Sequence, residues 1–109
     1  MPSYSKGDVI LIRYPFSDRS SAKVRPAIII SAPHQSLDVF LVPLTSKTDT
    51  LLAGEFVLND WKGAGLNIAS AVKRGLYTLH QSLIMKSVGV ISPSDAGRVD
   101  DSLRSWLGL

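Results

Sequence analysis

Only one stretch of this 109-residue chain carries a helix signal, and it comes last. Ser92-Pro93-Ser94-Asp95 supplies a serine cap, a proline suited to the first helical position and an acid three residues after the cap, close to a capping box. Ala96, Val99, Leu103, Trp106 and Leu107 then recur at helical spacing, the apolar stripe of an amphipathic helix lying on a sheet. Everything ahead is short strand-like runs cut by proline, glycine and hydroxyl-rich turns. That order predicts a mainly β chain with a C-terminal helix: a small, strongly bent sheet or partly open barrel with the helix packed on it.

Asp8 to Phe16 reads as the first strand, ending at the aromatic pair around Pro15, where proline cannot donate to a ladder. Residues 17–22 have turn composition and form a mobile loop before Val24 to Ala32. The turn Ala32-Pro33-His34-Gln35-Ser36 leads into a third strand, Leu37 to Leu44, completing a meander. Shorter strands follow at Glu55 to Leu58, Asn67 to Val72 and Met85 to Ile91. Asn59 to Gly65 is a second long loop, tacked down by Trp61. Residues 1–109 make one domain, without internal repeat or low-complexity tract.

The chain has no cysteine, which removes disulfides, zinc–thiolate sites and thiol nucleophiles. The first apolar run, Val9 to Ile12, is broken by Arg13, and no run approaches membrane-spanning length, so the expected location is cytoplasmic. Net charge is +3, and residues 1–91 hold ten basic and six acidic residues against two and three in 92–109. A cationic body fits RNA as a partner without requiring it.

The chemistry gathers where two strands end. Lys23-Val24-Arg25-Pro26 stands at the mouth of the most apolar run, Ala27 to Ile30, and Val39 to Leu44 ends in Thr45-Ser46-Lys47-Thr48. Side by side, these ends would join a guanidinium to hydroxyls, with a phosphate between them. Arginine stays ionised and offers a planar fork to two phosphate oxygens. An unassisted hydroxyl is a poor base, so Thr45 and Ser46 suit positioning; the alternative is that they merely cap a turn. Lys23, Lys47 and Lys73 are phosphate contacts or solvated surface. Among Tyr14, Phe16, Phe40 and Tyr77, Phe16 is best placed to stack on a base, and Phe40 is expected in the core. His34 and His80 lie in different segments without ligand-like spacing, which argues against an acid/base pair or a metal site.

Taken in order, several segments resemble the MazF/PemK family of bacterial toxins over nearly the whole chain. These are Gly7-Asp8-Val9-Ile10, Arg25-Pro26-Ala27 with its aliphatic run, Val42-Pro43-Leu44-Thr45-Ser46, Ser70-Ala71-Val72-Lys73, Thr78-Leu79 and Val88-Gly89-Val90-Ile91. The resemblance implies an SH3-like barrel, a homodimer and a small acidic antitoxin as partner. It implies the toxin of a type II toxin–antitoxin system, an endoribonuclease (mRNA interferase) that cleaves single-stranded RNA. Cleavage would proceed without metal or other cofactor, through 2′-hydroxyl attack, leaving a 2′,3′-cyclic phosphate. Matched motif by motif, Arg25 and Thr45 become the catalytic candidates, with Ser46 beside them. The loop 17–23 lacks the Glu/Gln pair often found in the family and offers Asp18 and Arg19 instead, which join Phe16, Lys23, Lys47 and Lys73 as the RNA-binding candidates. The segment after Ser70 reads Lys73-Arg74-Gly75, without the acid some members carry, so neither base specificity nor the general base carries over.

Two other functions compete. Ser105-Trp106-Leu107-Gly108-Leu109 faintly resembles the terminal Trp-Gly pattern of the CcdB family, non-enzymatic poisons of DNA gyrase on the same fold, although Trp106 also falls on the apolar helix stripe. The third is a module that binds RNA or a peptide without cutting.

Overall fold

The runs Val9–Ile12, Ala27–Ile29 and Val39–Leu44 are apolar at nearly every position, the pattern of strands covered on both faces. The computed structural model describes residues 4–14 and 23–109, Tyr14 by its backbone alone. These runs form β1 (Asp8–Tyr14), β2 (Lys23–Ile29) and β3 (Asp38–Thr45), an antiparallel meander. Then come β4 (Phe56–Val57), β5 (Ala71–Val72), β6 (Tyr77–His80), a 3-10 turn (Gln81–Leu83), β7 (Ile84–Val90) and the helix α1 (Pro93–Leu107). The sheet runs β4-β5-β3-β2-β1-β7, with β6 also on β3. Register shifts between Val9 and Ile10 and between Leu11 and Ile12 interrupt the β1–β7 ladder, and such bulges bend a sheet.

Alternation along the strands feeds two cores. Val9, Ile28, Val42, Leu44 and Val72 meet Val99 of α1, with Ala96, Leu103 and Trp106 packed around them. Ile10, Ile12, Ala27, Ile29, Val39, Leu41 and Ile84 fill the other face. Burying each large aliphatic side chain contributes about 1.5–3 kcal/mol.

The helix begins as its sequence indicates, with the Ser92 hydroxyl accepting the Asp95 N–H at 3.1 Å. The capping box is only half made. The Asp95 carboxylate turns away to accept the N–H groups of Asn59 (3.0 Å) and Asp60 (3.1 Å), tying α1 to the loop after β4. At the far end Ser102 Oγ donates to the Gly54 carbonyl at 2.7 Å and Trp106 Nε1 to the Ala53 carbonyl at 3.0 Å. Gly54 sits at φ 84°, and a Cβ there would come within 2.5 Å of Trp106 Nε1, so both backbone and space demand glycine.

The structure departs from the expectations of the sequence in several places. Between Asn67 and Val72 only Ala71–Val72 pairs as a strand, and β6 was not anticipated. Phe40 is 49% exposed: it shares the β3 face of Val42 and Leu44 but borders an open cleft with Ala32, Pro33 and His34. Leu107 is 51% exposed, on the last helical turn, where it borders an open cleft shared with Arg74, Gly75 and Leu76. The short repeat His-Gln-Ser-Leu, at 34–37 and 80–83, also escaped notice, and its two copies lie together, Gln81 N–H donating to the Leu37 carbonyl at 2.8 Å.

Candidate active site

The ladder between β2 and β3 stops at Ala27↔Pro43. Two residues further in the same register, Arg25 would stand opposite Thr45; here the strands part, and both residues face the side of Ala27 and Leu41. Arg25 is exposed, but its β1 partner is the fully buried Ile12. An exposed side chain therefore grows from a ladder position that faces the core. Lys23, also exposed, pairs with Tyr14 two residues nearer the strand's start.

Thr45 is half-buried and pairs on its other side with Ala71 of β5. Its Oγ1 accepts the Lys47 N–H at 3.1 Å, the turn-capping bond that hydroxyls at strand ends favour. Because a hydroxyl accepts and donates at once, that bond fixes the oxygen while leaving its proton to donate to an anion. Capping and positioning are thus compatible in one side chain. Ser46 and Lys47 follow as exposed residues on the same strand end.

Pro43 shapes the third wall. Lys73 N–H donates to the Pro43 carbonyl at 2.9 Å, but proline has no N–H to return, so the ladder cannot continue. From Val72 to Tyr77 is five steps, against three from Leu44 to Leu41, so two extra residues bulge out between β5 and β6. Gly75 lies close over the proline: a Cβ there would be 3.3 Å from Pro43 Cγ. Lys73 lies two residues beyond Ala71, on the face that carries Thr45.

Sequence reasoning overlooked the residue beneath this bulge. Glu55 has a side chain only 1% exposed, and its Oε2 lies 3.6 Å from Lys73 Nζ. Oε2 also accepts the Arg74 N–H and Oε1 the Leu52 N–H, both at 2.8 Å. Burial alone would push this carboxyl up; the N–H groups of Arg74 and Leu52 and the Lys73 ammonium outweigh it and hold the group below its ordinary value. Nothing in the sequence marked Glu55 beyond an acid wedged between Gly54 and an apolar run.

Phe16, Asp18 and Arg19 lie outside the described residues, as does the loop 17–22. The histidines stand apart from the site. His34 Nδ1 and His80 Nδ1 each lie 2.8 Å from the hydroxyl of the serine two residues on. His80 pairs with Asp38, the opposite end of β3 from Thr45, roughly 23 Å away at the usual rise per residue. Among the described residues no group of three or more His, Cys, Asp and Glu side chains could hold a metal ion, and no helix is long and apolar enough to cross a membrane. Arg98, a further cation, is held structurally: it bonds Asp95 (3.3 Å) and the Val57 carbonyl (3.2 Å) and lies 4.1 Å over the Phe56 ring. Trp106 is likewise an anchor of the fold, which leaves Gly108 and Leu109 to carry the terminal likeness to the gyrase poisons.

A family model for PemK-like, MazF-like toxins of type II toxin–antitoxin systems matches residues 5–107. Among solved structures, an endoribonuclease in complex with its cognate antitoxin from a mycobacterial species superposes with a TM-score of 0.74 at 18% identity, covering 98% of this chain and 97% of that one. The toxin MazF-mt6 of Mycobacterium tuberculosis gives 0.73 at 18% identity over 94% and 97%. MazF of Deinococcus radiodurans gives 0.76 at 19% identity over the full length of both chains. At such identities these likenesses show the fold, an antiparallel sheet with one C-terminal helix. No curated protein is significantly similar in sequence.

Proposed function

The chain belongs to the PemK-like, MazF-like family of type II toxin–antitoxin toxins, and from that membership we propose that it is an mRNA interferase, a sequence-selective, metal-independent endoribonuclease that cleaves single-stranded RNA. The observation that carries this reading is the parting of β2 and β3 beyond Ala27↔Pro43, with Arg25 and Thr45 on one face of the two separated ends. A phosphodiester laid across the gap meets a guanidinium from one strand and a hydroxyl from the other.

The scissile phosphate lies in the fork of Arg25, which neutralises charge as the adjacent 2′-hydroxyl attacks phosphorus. Preorganised charge of this kind is usually the largest catalytic contribution. Thr45 donates its proton to a non-bridging oxygen, and Ser46 supplies a second hydroxyl. The 2′-hydroxyl gives up its proton to solvent as the O2′–P bond forms, the P–O5′ bond breaks, and O5′ takes a proton from solvent, which releases a 5′-hydroxyl fragment and leaves a 2′,3′-cyclic phosphate upstream. Lys23, Lys47 and Lys73 contact flanking phosphates, and Phe16, Asp18 and Arg19 contact the bases.

The partners are a second copy of the chain and a small acidic antitoxin that covers the RNA groove, in the cytoplasm where mRNA is available. The cationic balance of residues 1–91 supports the acidic partner.

The test is incubation of the purified chain with long mixed-sequence RNA in EDTA, beside Arg25→Ala, with mapping of the new ends. Cleavage at a recurring motif with cyclic phosphate ends, lost in the variant, is the expected result. Intact RNA with both proteins folded would sink the reading.

A further inference from the structure

A buried carboxylate is costly to desolvate, and Glu55 sits where no step of the proposed cleavage uses it. Its place in the sheet suggests what it does. The β4–β5 ladder pairs Phe56↔Val72 and Val57↔Ala71, and one more step in that register sets Glu55 opposite Lys73. Val57, Ala71 and Thr45 thus form one row across three strands, and Glu55, Lys73 and Pro43 form the next row on the same face.

We propose that Glu55 is a positioning residue of the RNA site, holding Lys73 and the bulge 73–76 so that the Lys73 ammonium stands beside Thr45 as a fixed phosphate contact; this rests on the RNA-cleaving reading above. Pro43 cannot return the hydrogen bond it accepts from Lys73, so the strand leaves the ladder just where Lys73 must be held. Glu55 replaces that lost support. It takes the Arg74 N–H (2.8 Å) and draws in the ammonium (3.6 Å) with one oxygen, and the other is anchored by its own turn at Leu52 (2.8 Å). A carboxylate suits the task because it accepts at both oxygens, whereas an amide would point a donor at one of these N–H groups. Lys73 remains 50% exposed, so one side of the ammonium faces Glu55 while the other is open to a phosphate. Alone, an ammonium on a flexible stem would have to be ordered at each binding event.

The experiment compares the full chain with Glu55→Gln, Lys73→Met, Lys73→Arg and the Glu55→Gln/Lys73→Met double variant. It measures kcat and KM on cleavable RNA, and the salt dependence of binding to the same RNA with a 2′-deoxy group at the cleavage point. Expected are kcat losses of about 10–100-fold in both Gln and Met variants, as small displacements of a positioned group cause. The log–log salt slope should fall by about 0.7 in each, one phosphate contact on a single strand. The double variant should be no worse than the weaker single one, and Lys73→Arg should keep most of the activity. Glu55→Gln that denatures earlier yet keeps kcat and salt slope would reduce Glu55 to a structural role and overturn the proposal, as would losses that multiply in the double variant. Should Glu55→Gln fail to fold, Lys73→Met decides: wild-type kcat and slope there overturn the inference while RNA cleavage stands. An inert wild-type chain would instead overturn the cleavage reading, and the inference with it.

Discussion

Arg25 lies directly across the β1–β2 ladder from Ile12, a side chain wholly enclosed in the core. The cation is therefore surface-exposed but carried by a strand position paired with the core. Replacing it should cost activity and not stability. Arg25→Ala is expected to lower kcat by at least about 100-fold while leaving unfolding free energy within about 0.5 kcal/mol of wild type. Arg25→Lys should recover only part of the loss, because an ammonium cannot reproduce the two-pronged contact. Single-turnover RNA cleavage and urea denaturation on the same preparations check both halves.

Thr45 separates the hydroxyl from the shape around it. Thr45→Val keeps the volume but removes both the bond from the Lys47 N–H and the donated proton, and is expected to slow cleavage by about 100-fold. Thr45→Ser should retain most activity. Equal rates for Val and Ser would show that the hydroxyl does not touch the reacting phosphate.

Asp95 is expected to act on the fold alone. Removing its carboxylate in Asp95→Ala leaves the Asn59 and Asp60 N–H groups without their acceptor. Asn59 and Asp60 are themselves exposed, so the cost is that of two hydrogen bonds to a charged acceptor, at about 1.5 kcal/mol each, and the loss should reach about 3 kcal/mol. Urea unfolding would register it, and specific activity per folded molecule should stay unchanged.

Gly54→Ala forces a Cβ against the Trp106 indole at a positive φ and should destabilise by about 1–3 kcal/mol. Tryptophan emission should shift with it as the indole loses its bond to Ala53. A stability unchanged by the substitution would mean that the loop 52–55 and α1 move apart readily.

Acid should weaken the chain through Glu55. Its carboxyl is held below the ordinary value of about 4.3, so its stabilising contribution is complete above that value and disappears as pH falls through the lower value of the folded state. Glu55→Gln should be less stable than wild type near neutrality. The gap should close as the solution is acidified below the ordinary carboxylate range and through the lower folded-state value, which denaturation midpoints across the range would reveal.

The longer strands and the helix were legible because their signals are local. Val9 to Ile12, Ala27 to Ile29 and the Ser92-Pro93 start each state their structure within a few residues. Tyr77 to His80 does not: three of its four residues are exposed, and it becomes a strand only because β3 offers an edge beyond the bulge. Asp95 was legible as a helix-start residue but not as a clamp, since its acceptors' partners lie 35 and 36 residues away. Arg25 and Thr45 could be paired on paper because both sit at strand ends, whereas Glu55 and Lys73 are joined by a proline that releases a strand, an effect with no periodicity to read. Phe40 shows the converse: an apolar strand position is core only as far as something covers it.

Ala27, Ile28 and Ile29 are consecutive residues, yet they belong alternately to the two cores. Neither core can melt while the other keeps its strand. The domain should consequently unfold in one cooperative transition, with amide hydrogens of β2 and the middle of β3 exchanging only through global opening. Exchange should quicken only past Ala27 and Pro43, so that the most protected backbone ends where the proposed chemistry begins.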